Sequence, residues 1–171
     1  MKKAGRAMTD SQLENQVDKL LRSQGLSLSV AESCTGGLLE HRLTNTPGSS
    51  DYFIGGVVAY SYSAKERILN VSHNTLYDHG AVSEQTALEM ARGARRLFGT
   101  DLAISVTGIA GPGGGTPDKP VGLVYIALSA RNQEMCQQFV WEGDRERNKA
   151  YSAQAALEML LAYLREQTHD T

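Results

Sequence analysis

Cysteine is scarce here: Cys34 and Cys136 are the only two in 171 residues. Two thiols in a chain of this length do not make a disulfide framework, and no Cys-x-x-Cys occurs. The histidines are equally thin. His41, His73, His79 and His169 fall in no metal-ligand spacing and read as surface or helix-end residues, so no metal site is expected. Neither sign of charge dominates: 17 basic and 19 acidic residues leave a formal net charge of −2. Without a basic field, general nucleic-acid binding is not expected. No apolar run approaches the roughly 20 residues of a membrane-spanning helix. The basic opening Met1-Lys2-Lys3-Ala4-Gly5-Arg6-Ala7 has no apolar stretch behind it and is not a secretory signal. Residues 1–9 read as a loose tail, and Met8 is an alternative start. These scarcities point to a reducing, cytoplasmic setting and to chemistry without metal or cofactor.

What is present is an alternation of helical and strand patterns. A helix is predicted from Asp10-Ser11, with Leu13, Val17, Leu20 and Leu21 on one face and Gly25 as its stop. Leu26, Leu28 and Val30 alternate with serines as a strand. The polar turn Glu32-Ser33-Cys34-Thr35-Gly36-Gly37 opens a helix through Leu43 that closes before Pro47. A buried strand is predicted over 53–61, short helices over 63–70 and 73–79, and a longer helix from a Ser83 cap to Gly99. Leu102 to Val106 is apolar throughout, as in a strand covered on both faces. Strands over 121–130 and 135–140 pair as a hairpin, and a last helix starts near Arg145. The sum is one domain over 10–167, a three-layer α/β/α sandwich with a mixed sheet of about five strands.

Ligands in such sheets sit at the carboxyl ends of strands. The Glu32 turn and the loop Gly108 to Gly115, with five glycines, both follow strands and are expected to face one pocket. Glycines let a ligand approach backbone amides, and consecutive amides make an anion-binding nest. The loop is neither a Walker loop nor a dinucleotide fingerprint. Ser33, Thr35, Gly36 and Gly37 start a helix, where free amides favour an anion or a developing oxyanion; the alternative reading is that Ser33 or Thr35 simply caps it. Gly48-Ser49-Ser50 is followed, fifteen residues after Ser50, by Lys65. A serine becomes a nucleophile with a base, and lysine serves if held neutral. The plainer readings are a turn after Pro47 for the serines and an exposed helical amine for Lys65. Arg145 offers a guanidinium fork suited to phosphate or carboxylate.

Several stretches together resemble the CinA C-terminal domain family, whose members include nicotinamide-nucleotide amidohydrolases. They are Ala31 to Gly37, Pro47-Gly48-Ser49-Ser50 with Phe53, Tyr60-Ser61 with Lys65, His79 to Glu84, Thr107 to Pro112, Lys119 to Gly122 and Gly143-Asp144-Arg145. The resemblance runs from about Leu13 to Leu164, and the chain reads as the stand-alone form. It implies hydrolysis of the carboxamide of nicotinamide mononucleotide to nicotinate mononucleotide and ammonia. It places a serine–lysine dyad on Ser50 and Lys65, with support from Tyr60 and from Arg145, or Arg147 in its stead. Ser33, Thr35, Gly36, Ser49, Thr107, Gly108, Gly111 and Gly113 are then the expected substrate-binding residues. Tyr62 stands where the family often has an asparagine. The rival class is a non-catalytic nucleotide-binding module of the same fold. A homodimer is expected because two-fold dimers are the commonest oligomers.

Overall fold

Large and small side chains alternate along the central strands, and this alternation sorts the helices into two layers. In the computed structural model, which describes residues 10–169, the elements are α1 (Asp10–Gln24), β1 (Leu28–Glu32), α2 (Leu38–Thr44), a single 3-10 turn (Ser49–Asp51), β2 (Phe53–Val58), α3 (Tyr62–Leu69), α4 (His73–His79), α5 (Glu84–Phe98), β3 (Leu102–Gly108), β4 (Leu123–Ser129), β5 (Glu134–Val140) and α6 (Arg145–His169). The tail expected over residues 1–9 lies outside the described residues. The five strands run in the order β2-β1-β3-β4-β5. β1 is parallel to both β2 and β3, whereas β4 pairs antiparallel with β3 and β5. The mixed sheet with helices on both faces is the expected architecture.

One face carries Leu28, Val30, Leu102, Ile104, Val106, Val124, Ile126 and Leu128, which pack against α1, α2 and α6. The other face carries Ala31, Ala103 and Ala127, which pack beneath α3, α4 and α5. Leu/Ser alternation in β1 therefore does not mark a solvated face: every β1 residue is buried. Ser29 lies on the tight side, its hydroxyl 2.8 Å from that of Thr100. Ser105 there donates to the Ala87 carbonyl of α5 at 2.6 Å.

Close approach on that side sets a stability prediction. A methyl group on Gly93 of α5 would lie 2.1 Å from the Leu69 carbonyl oxygen of α3. Alanine normally stabilises a helix relative to glycine by about 1 kcal/mol. Here overpacking reverses the sign, and Gly93→Ala should destabilise by roughly 1–3 kcal/mol in urea unfolding.

Element ends follow local chemistry. Gly25, at φ 64°, turns the chain out of α1, and Leu26 donates back to the Leu21 carbonyl at 3.1 Å, so β1 starts two residues later than the alternation implies. β2 ends at Val58 rather than running to Ser61, because Ser61 caps α3 by accepting from the Ala64 amide. Ser83 caps α5 as expected. No helix among the described residues is long and apolar enough to cross a membrane.

Candidate active site

The parallel strands β1, β2 and β3 all point the same way, so the segments leaving their carboxyl ends converge. The turn after β1, Ala59 and Tyr60 after β2, and the glycine loop after β3 gather there. They line one cleft of about 250 Å³ that includes Ser33, Cys34, Tyr60, Lys65, Thr107, Gly108, Gly111, Gly113, Gly114 and Arg145.

Lys65 is the most unusual residue in the cleft. It sits on α3 and is only 1% exposed. Its Nζ lies 2.9 Å from Ser33 Oγ, 2.8 Å from the Ala59 carbonyl and 3.4 Å from the Tyr60 carbonyl. All three neighbours are uncharged and no carboxylate pairs with it, so burial pulls its pKa down to about 8. Nζ donates to Ser33 Oγ and to both carbonyls. Loss of one proton leaves a lone pair beside the Ser33 hydroxyl.

Ser33 is fixed from both sides. Its amide donates to the Val106 carbonyl at 2.9 Å, which carries the β1–β3 ladder one residue past the strand. Behind it the wholly buried Glu32 carboxylate accepts from the amides of Gly37, Leu39 and Glu40 at 3.1, 3.1 and 2.8 Å. Glu32, not Ser33 or Thr35, therefore caps α2. The same contacts correct the expected anion site at Gly36 and Gly37, because the carboxylate already occupies the helix amides. Gly36 donates to the Ser33 carbonyl at 3.1 Å. The amides of Cys34 and Thr35 donate to no backbone carbonyl. Thr35 is fully buried, and its hydroxyl has no hydrogen-bond partner among the described residues.

The expected pairing of Ser50 with Lys65 is corrected. Ser50 is exposed on the 3-10 turn that enters β2, whereas Lys65 lies past the strand's other end. The six residues of β2 put about 20 Å between them. Ser49 is buried at that same distant turn and lines no part of the cleft. There Arg22 donates to the Gly48 carbonyl at 2.6 Å and pairs with Asp51, which gives the turn a structural role. Thr35 and Gly36 also stand outside the lining.

The remaining expected residues do reach the cleft. Arg145 donates to the Gly111 carbonyl at 2.7 Å and to the Tyr60 hydroxyl at 2.9 Å, and so straps the glycine loop to the chain leaving β2. Arg147 is exposed and does not line it. Thr107 spends its hydroxyl on the Ala81 carbonyl at 2.7 Å. Among the described residues, the amides of Gly113 and Gly114 donate to no backbone carbonyl. Tyr62, the departure from the family pattern, accepts from the Ala81 amide at 3.3 Å and braces the cleft wall. Cys34 also faces the cleft, but burial first, then the Glu32 charge, pushes its thiol up to about 12. It stays a thiol at neutral pH and does not compete as a nucleophile.

Glu40 adds a pH signature to the turn. Burial, then the nearby Glu32 charge, raises its pKa from 4.5 to about 7. The folded state thus holds a proton that the unfolded chain releases, and stability falls as pH rises from about 4.5 to about 7. Urea midpoints measured across that window should decline less in Glu40→Gln than in the parent.

The mixed five-stranded sheet with helices on both faces is the fold of the CinA superfamily structures, and the CinA C-terminal domain matches residues 10–164. The chain belongs to that family. It is 52% identical over 158 residues to a CinA-like protein of Chloroherpeton thalassium and 49% identical over 172 residues to one of Chlorobaculum tepidum, covering 90% and 96% of this chain. It spans 38% and 41% of those two relatives' own length. Among solved structures it is similar to a CinA superfamily protein of Klebsiella pneumoniae, with TM-score 0.89, 36% identity and coverage of 93% of this chain and 99% of that one. It is likewise similar to the competence/damage inducible protein CihA of Agrobacterium tumefaciens, with TM-score 0.85, 41% identity and coverage of 94% and 99%.

Proposed function

We propose that this chain is an amidohydrolase that cleaves the carboxamide of nicotinamide mononucleotide through a Ser33 acyl-enzyme, with Lys65 as general base. The observation that carries the reading is the contact of a buried, carboxylate-free lysine with a serine hydroxyl inside a cleft. Neutral Lys65 takes the Ser33 proton as Oγ attacks the carboxamide carbon. The amides of Cys34 and Thr35, left without carbonyl partners, are the donors available to the oxyanion. The carbon–nitrogen bond breaks as the Lys65 ammonium gives its proton to the departing amide nitrogen, which leaves as ammonia. A water molecule, deprotonated by the same amine, then attacks the ester carbon; the bond to Ser33 Oγ breaks, the Lys65 ammonium returns its proton to Oγ, and the carboxylate product leaves.

Charge supports an anionic substrate. Among the described residues Arg145 is held only by carbonyl and hydroxyl oxygens. A guanidinium without a carboxylate, beside the amides of Gly113 and Gly114, suits a ribose phosphate. Ammonia release from nicotinamide mononucleotide by the purified chain tests the reading. Turnover is expected; binding without release would instead support a nucleotide-binding module.

A further inference from the structure

A second cation beside the cleft, after Arg145, has no assigned task. Lys149 lies four residues after Arg145 on α6, so the two side chains share a helix face. Lys149 is half-buried. Among the described residues, no hydrogen bond or ion pair engages its ammonium. Its Nζ stands 3.6 Å from the point a Cβ on Gly36 would occupy, over the turn that carries Ser33. It is also close enough to act electrostatically on Cys34, which lines the cleft.

The nearby carboxylates do not serve it. Glu32 is committed to three α2 amides. Asp144 accepts from the Arg147 amide at 2.9 Å. Asn148, between the two cations, bonds the Ala110 carbonyl at 3.0 Å and the Gly143 amide at 3.0 Å, and so fixes this end of α6 against the glycine loop. The ammonium is thus held beside the nucleophile's turn by a rigid helix, with its charge unspent.

We infer that Lys149 binds the phosphate of the substrate and sets the preference for a phosphorylated over an unphosphorylated pyridine carboxamide, an inference that rests on the amidohydrolase reading. One charge-assisted contact to a dianion corresponds to roughly a 10- to 100-fold effect. Lys149→Met should raise KM for nicotinamide mononucleotide by about that factor and leave kcat within about threefold, since the contact is made in ground and transition states alike. KM for nicotinamide riboside, which lacks the phosphate, should not move, and Lys149→Arg should keep the preference. An unchanged KM for the mononucleotide, or an equal rise for both substrates, overturns the inference. If the parent releases ammonia from neither compound, the amidohydrolase reading fails on its own. Calorimetric binding of the same two compounds then decides the role of Lys149: loss of the phosphate preference in Lys149→Met supports it, and a retained preference overturns it.

Discussion

Ser33→Ala should abolish ammonia release, with a loss of at least about 10³-fold, while Ser50→Ala should stay within about twofold of the parent. The contrast follows from position. Ser33 Oγ is 2.9 Å from the only buried lysine of the cleft, whereas Ser50 is exposed at the opposite end of β2. Both variants should fold, because neither hydroxyl caps a helix: α2 is capped by the Glu32 carboxylate. Matching thermal melts beside the ammonia assay separate lost chemistry from lost structure. A Ser33→Ala protein that turned over at the parent rate would remove Ser33 from the reaction.

The second large effect is expected from the base. With its pKa lowered to about 8 by burial, Lys65 is mostly protonated at neutral pH. kcat/KM should therefore climb about tenfold per pH unit below the ionisation and level off above about 8. Lys65→Ala should lose at least about 10³-fold in turnover, with partial rescue by added small amines. Lys65→Arg is the sharper variant. A guanidinium keeps the charge and the donors but cannot give up its proton, so it should be as inactive as alanine. Substantial activity in Lys65→Arg would mean that the position supplies charge rather than a lone pair.

The architecture was legible because the sheet's own chemistry is local. Continuous apolar runs, glycine stops and serine caps mark the strands and helix ends within a residue or two, except at the end of β2, which stops three residues short. Ser83 and Gly99, which bound α5, are examples. The glycine loop and the turn after β1 were legible as cleft walls for the same reason, since both leave parallel strands at their carboxyl ends. That rule already separates the two serines: Ser33 follows a strand and Ser50 precedes one. The resemblance placed the dyad on Ser50, but the β1–β2 pairing carries Glu32 to Val58 and so sets Ser33 beside the Lys65 amine. Glu32 was not legible as the α2 cap because its contacts reach five to eight residues ahead, beyond the spacing of an ordinary N-cap. Lys149 carries no local signal at all, since its place over the Gly36 turn depends on how α6 packs beside α2.

The central claim is that Ser33 becomes covalently acylated. Acid-quenching the enzyme during turnover of nicotinamide mononucleotide, digesting it and weighing the peptides tests this directly. The expected result is an adduct of substrate minus ammonia on the peptide containing Ser33, absent from Ser33→Ala. The same adduct on the Ser50 peptide, or full turnover with no acylated peptide at any quench time, would contradict it.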